Sequence, residues 1–146
     1  MPLKRAGFSL SLRDWRLITF IAAKHVPSTY CAQVYGRQLR QDLQSKDAVL
    51  AVLRDYRSAG LSERDVEMLA FAELVVRSAS KVTQAHIDRL RAVGFSDVQI
   101  ADIALCASLR CFMSRFFDAV GAKPEPYFLD EDETFCSALT VGKALA

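Results

Sequence analysis

The stretch DYRSAGLSERDVEMLAFAEL, residues 55–74, reads as the end of one helix, a turn and the start of another. Ser58-Ala59-Gly60 carries the stop signal, because glycine reaches the left-handed backbone that closes a helix. Ser62 is placed to cap the next one, and Val66, Leu69, Ala70, Leu74 and Val75 then recur at the i, i+3, i+4 spacing of a helix with one buried face. The same grammar repeats outward in both directions. Upstream, Ser45 opens a helix carrying Val49, Leu50, Val52 and Leu53, and Ser28 opens one that runs to about Leu43. Ser11 opens the first helix, with Leu12, Trp15, Ile18 and Ile21 inward and His25-Val26-Pro27 as its end. Downstream, Thr83 opens a short helix with Ile87 and Leu90 on one face, stopped by Gly94. Ser96 opens a long one to about Val120. That sixth helix is apolar almost all round over residues 100–117, so it is expected to be central or to contact another subunit. Pro124 and Pro126 cannot continue a helix, and an acidic run at 130–133 leads into a weakly amphipathic tail. No segment alternates with the period of a strand. The expectation is an all-α, single-domain bundle of about six helices over residues 1–121, with an extension at 122–146.

A chain of 146 residues, 51% of them apolar, is long enough for one real core. Its formal charge of +2 is too mild to argue for nucleic acid or an anionic membrane. The charges are uneven: residues 1–46 hold eight Lys/Arg against two Asp/Glu, and the remainder eleven against fifteen. Solvated helix faces account for this more simply than head-to-tail subunit contacts. The basic start at residues 1–7 is followed by Arg13, Asp14 and Arg16 before any long apolar run, and residues 17–35 are interrupted by Lys24, His25 and Pro27. Neither reads as a secretory signal or a membrane span, so a cytoplasmic protein is expected. Cys31, Cys106, Cys111 and Cys136 form no CxxC pair, which in a reducing compartment points to free thiols. His25 and His86 stand at no metal-ligand spacing from a cysteine pair, and no phosphate-binding glycine loop is present, so neither metal nor cofactor is expected.

Residues 55–74, together with VTQAHIDRLRAVGFSDVQIADIALCASLRCFMSRFFDAVG at 82–121, resemble the peroxidase-related, alkylhydroperoxidase D-like branch of the carboxymuconolactone decarboxylase family. The resemblance is carried by Asp55, Tyr56 and Arg57 with Leu61, Ser62 and Arg64. It continues through Phe71-Ala72, the Val82 to Asp97 connection, and Arg115, Asp118 and Gly121. It implies trimers, hexamers or dimers, and a thiol-dependent reduction of peroxide that draws on an external thiol. The family's chemistry lies in a pattern of Glu, eleven residues, Cys-x-x-Cys, three residues, His. Setting that pattern on STYC puts the attacking cysteine at Cys31, the resolving cysteine at Ser28, the glutamate at Arg16 and the histidine at Tyr35. Only the attacking thiol is matched.

Each position has a plain reading beside the chemical one. Ser28 is a good helix cap, Cys31 a small buried hydrophobe, Tyr35 core packing and Arg16 a snorkelling cation. As a site, Cys31 would sit in the first turn of a helix, where unpaired amides and the helix dipole stabilise negative charge on sulphur. Arg16 in place of a glutamate would add to that field, giving either a single anion-stabilised thiol or a pocket for a small acidic ligand at Arg16, Cys31 and Tyr35. His25 is the nearby histidine available for a lost proton-transfer role. Cys106 and Cys111 read as core, Cys136 lies in the tail with a minor prospect of resolving an oxidised Cys31, and His86 reads as solvated. Retention as an assembly subunit is the third possibility.

Overall fold

The computed structural model describes residues 7–145; the basic residues 1–6 lie outside it. Among the described residues there are seven α-helices and no strand: α1 (Leu12–His25), α2 (Thr29–Leu43), α3 (Lys46–Asp55), α4 (Glu63–Ser78), α5 (Gln84–Ala92), α6 (Asp97–Ala119) and α7 (Glu133–Ala138). The start signals explain the boundaries. Ser11, Ser28, Ser45, Ser62, Ser96 and Asp132 each accept a backbone N–H of the first turn of the helix they open. Each such cap contributes about 1 kcal/mol. Gly60 and Gly94 take φ of +75° and +97°, the conformation the turns after α3 and α5 require.

Helix α1 is the centre of the bundle. It packs against α2, α4 and α6, and Leu17, Ile18, Phe20, Ile21, Ala22 and Ala23 are entirely buried. The long helix, expected to be central or to contact another subunit, is half-covered. Ile103, Cys106 and Ala107 of α6 face the core, whereas Leu105, Phe112 and Phe116 are more than half exposed. Leu12, expected inward, is also exposed; on α4 the expected Leu69 is fully buried together with Met68 and Ala72, whereas Val66, Ala70, Leu74 and Val75 are only partly buried. The turn of α4 has a polar cause. Asp65 points inward, where it takes two hydrogen bonds from Arg13 at 3.0 and 2.8 Å. Arg64 reciprocates toward the buried Asp14 at 3.0 Å while lying 4.1 Å from the centre of the Phe95 ring. A carboxylate on the buried face is invisible to an apolar pattern.

A second polar knot joins α1 and α4 to the turn after α3. Glu73 accepts from Tyr56 Oη at 2.5 Å, from Arg77 at 3.1 Å and from Arg57 at 3.3 Å, and His25 Nε2 lies 3.3 Å from it. Burial pulls the His25 imidazole below its ordinary value of 6.5, with the Glu73 charge opposing only in part. Burial pushes Glu73 upward, but the bonds from Tyr56 and Arg77 and the charges of His25 and Arg57 outweigh it, and its net shift is downward. In both cases the unfolded chain binds more protons than the folded one, so stability falls as pH falls. The His25 contribution is complete above pH 6.5 and is lost as pH drops toward the folded value; the Glu73 contribution is complete above about 4.5 and is lost at lower pH. Melting temperature is therefore expected to be flat between about pH 7 and 8 and to fall in two stages on acidification. The first stage should shrink in His25→Gln; an undiminished fall between pH 7 and 5 in that variant would assign it elsewhere.

The C-terminal segment is packed, not a loose tail. Phe135 and Leu139 are 2% and 0% exposed, and Leu139 lies so close to Gly36 of α2 that a Cβ there would meet its Cδ1 at 2.5 Å. Arg40 to Asp130 (2.7 Å), Lys46 to Asp132 (2.9 Å) and Gln33 Nε2 to the Cys136 carbonyl (3.0 Å) fix the segment along the outer face of α2. Its end crosses the start of that helix, where the Gly142 amide donates to Thr29 Oγ1 at 3.0 Å and Lys143 to the Asp118 carbonyl at 3.1 Å.

Candidate functional site

The first turn of α2 meets the last third of α6, and Cys31 is at the crossing. Ser28 ends the connection from α1 and caps α2, its Oγ accepting the Cys31 amide at 3.4 Å and donating to Asp118 Oδ1 at 3.4 Å. Cys31 itself is 0% exposed, and two side chains of α6 converge on its sulphur. Ser114 Oγ donates at 3.2 Å and Arg110 Nη2 at 3.6 Å. Both are buried, at 0% and 3% exposure. The Arg110 guanidinium also lies 4.9 Å from the centre of the Tyr35 ring, one turn further along α2. Negative charge on Cys31 thus faces three favourable partners: a guanidinium, a hydroxyl and the amide end of α2.

Sequence reasoning passed over Arg110 and Ser114. Their signal was present as Cys106, Arg110, Ser114 and Asp118 at four-residue spacing, a polar stripe on a helix read as apolar all round. The other expected site residues divide. Ser28, Cys31 and Tyr35 belong to the cluster. Arg16 does not: its guanidinium binds Gln38 at 3.0 Å and Asp42 at 2.7 Å, and Asp42 lies about three turns, roughly 16 Å, beyond Cys31 along α2. The cation at the thiol is Arg110. His25 is engaged with Glu73, and His86 turns its Nδ1 back to accept the Thr83 amide at 3.0 Å, so neither makes a contact with Cys31.

The remaining cysteines are held toward the neutral thiol. Burial pushes the Cys106 thiol up to about 12, and burial likewise raises Cys111 and Cys136. All four are free thiols, and the Cys136 sulphur donates to the Asp130 carbonyl at 3.4 Å. Among the described residues no group of three His, Cys, Asp or Glu side chains is placed to hold a metal ion. Among the described residues no single helix is long and apolar enough to cross a membrane, although α5 and α6 pass that test together across a 117° bend.

Beside the thiol, a cavity of about 240 Å³ opens between α2 and α6. Arg110 forms part of its wall, with Tyr30, Tyr35 and Phe117, and Phe128 from the C-terminal segment closes one side. Cavities of about 470 and 840 Å³ lie elsewhere, beside Glu73 and between Arg40 and Asp130. They are larger, but neither is lined by a residue that bonds the Cys31 sulphur, whereas Arg110, which lines the smaller one, does.

The chain superposes on an uncharacterized peroxidase-related protein from Silicibacter sp. with a TM-score of 0.77 at 26% identity. It matches the alkylhydroperoxidase AhpD core of an uncharacterized peroxidase-related protein from Ralstonia eutropha with a TM-score of 0.76 at 25% identity. The fold is that of the alkylhydroperoxidase D core. Each alignment covers 82% of this chain and 63% of the other, so the chain spans less than two thirds of the length of either relative. No protein-family model and no curated protein matches it.

Within this alkylhydroperoxidase D-like chain, the motif residues that carried the resemblance are mostly structural. Asp55 caps the turn through the Arg57 amide at 3.0 Å, Tyr56 and Arg57 bind Glu73, Arg64 reaches Asp14, and Asp118 holds Ser28. Ser28, which the resemblance sets at the resolving-cysteine position, has a hydroxyl that cannot form a disulfide.

Proposed function

We propose that this alkylhydroperoxidase D-like chain acts through a single thiol, Cys31, which reduces hydroperoxides at the expense of an external thiol. The observation that carries the reading is the convergence of Arg110 and Ser114 on the Cys31 sulphur at the start of α2. The sulphur attacks one peroxide oxygen; the S–O bond forms, the O–O bond breaks, and the departing alkoxide takes a proton from water. Cysteine is thereby oxidised to the sulfenic acid. One external thiol then condenses with it, forming a mixed disulfide and releasing water. A second attacks that disulfide, restores Cys31 and leaves as the oxidised reductant. Arg110 and Ser114 hold charge on sulphur before attack, and Ser28 takes no part in disulfide exchange. Four free thiols suit a reducing compartment such as the cytoplasm. The full burial of Cys31 favours a second reading, in which the site binds a ligand without chemistry. Hydroperoxide treatment followed by dimedone and peptide mass spectrometry separates them. The first reading requires the adduct at Cys31; its absence there, with adducts only at Cys111 or Cys136, leaves the second.

The assembly is part of the same proposal. Val98, Leu105, Phe112, Phe116 and Val120 run along the outer side of α6 with exposures of 51–64%. An apolar stripe of this kind is covered in a homo-oligomer, α6 against a second copy. Light scattering is expected to give a multiple of 16.3 kDa for the native chain and a smaller species for Phe112→Glu/Phe116→Glu. A native mass of 16.3 kDa at micromolar concentration contradicts this.

A further inference from the structure

The cavity beside Cys31 has a lining that peroxide chemistry alone does not call for. Arg110 is the one charged side chain among the described residues lining it, and the rest of the wall is aromatic or aliphatic. Tyr30 stacks on Phe117 with ring centres 4.9 Å apart and planes 28° from parallel, which makes a flat apolar wall. Phe128, 37% exposed, completes the wall from the C-terminal segment, which Arg37 holds through the Tyr127 carbonyl. Arg110 is held in the wall in part by two contacts: Nη2 donates to the Cys31 sulphur and the guanidinium lies over the Tyr35 ring.

We infer that this cavity binds a small organic monocarboxylate, its carboxylate on the Arg110 guanidinium and its apolar body against Tyr30 and Phe117. Size and chemistry both point there. Pockets for drug-sized ligands run from about 300 to 1,000 Å³, so a cavity of about 240 Å³ suits one ring or a short branched chain. A planar guanidinium in an apolar wall selects a planar anion, because its donor fork matches carboxylate geometry and its low-dielectric setting strengthens the attraction. A neutral ligand of the same shape gains the apolar contacts and none of the charge. A free phosphate gains the charge and none of the contacts.

The position of Arg110 gives the binding a consequence. One guanidinium serves both the Cys31 sulphur and the bound carboxylate, and an anion in the cavity competes for it. Occupancy therefore weakens the support for charge on Cys31 and lowers its reactivity. This second step rests on the single-thiol reading above; the binding itself does not.

The test uses the native full chain with benzoate, benzyl alcohol and inorganic phosphate as probes, read by calorimetric titration at pH 7. Benzoate is expected to bind at least about tenfold more tightly than either of the others, the equivalent of one charge-assisted hydrogen bond. Benzyl alcohol or phosphate binding as well as benzoate overturns the assignment. Arg110→Lys is expected to keep part of the preference, while Phe117→Ala weakens benzoate and benzyl alcohol together; benzoate unaffected by both substitutions also overturns it. Cys31→Ser should bind benzoate undiminished, so the binding claim survives a failure of the thiol chemistry. In the native chain, saturating benzoate should slow iodoacetamide modification of Cys31 severalfold, and an unchanged rate at saturation removes the competition while leaving the site.

Discussion

Arg110→Gln is expected to slow the alkylation of Cys31 by iodoacetamide about ten- to a hundredfold at pH 7, with a corresponding fall in hydroperoxide consumption. The reacting species is the thiolate, and the Cys31 sulphur accepts from Nη2 of Arg110 at 3.6 Å and from Oγ of Ser114 at 3.2 Å, both of which favour negative charge there. A hydrogen bond to a charged group contributes about 1.5–3 kcal/mol, and each 1.4 kcal/mol is tenfold. Glutamine keeps a donor and loses the charge, so most of that difference should appear. Arg110→Lys restores the charge without the fork and should recover part of the rate. Arg16→Gln provides the contrast: its guanidinium is committed to Gln38 and Asp42, and its removal should leave the alkylation rate within about twofold while lowering stability. A large kinetic effect at Arg16 with none at Arg110 would reverse the assignment of the cation. Circular dichroism on each variant separates lost reactivity from lost fold.

The second large effect is at the C-terminal segment. Phe135→Ala is expected to cost about 3–5 kcal/mol and Leu139→Ala about 2–5 kcal/mol in urea unfolding, since both side chains are almost entirely buried against α2. Against a total stability of about 5–15 kcal/mol for a domain of this size, the double variant should be largely unfolded at 37 °C. Glu131→Ala, on an exposed side chain of the same segment, should cost under about 0.5 kcal/mol. If Phe135→Ala and Leu139→Ala are as mild as Glu131→Ala, the segment is not part of the core.

These residues mark where the sequence could be read and where it could not. Helix starts were legible because a serine before each apolar run has a local reason to be there, and the caps at Ser11, Ser28, Ser45, Ser62 and Ser96 all form. The stop at Gly60 was equally local. The docked tail was not legible, because its cause is a distant one: the missing side chain at Gly36 makes room for Leu139. Nor were the inward-facing Asp14 and Asp65, whose burial depends on Arg64 and Arg13 arriving from other helices. At the site, alignment to a motif found Cys31 and the capping Ser28, both of which act within one helical turn. It gave Arg16 a charge role that the geometry assigns to Arg110, 79 positions along the chain from Cys31. An arginine in the middle of an apolar helix was the available clue, and its four-residue spacing from Ser114 pointed to the same face.

The central claim, that Cys31 works without a resolving cysteine, is tested most directly by hydroperoxide consumption with dithiothreitol in three proteins: native, Cys31→Ser and Ser28→Cys. The native chain should turn over slowly, Cys31→Ser should fall to background, and Ser28→Cys should gain about tenfold or more, because a thiol at the cap position stands in the CxxC arrangement that closes on Cys31. Activity that persists undiminished in Cys31→Ser would contradict the account.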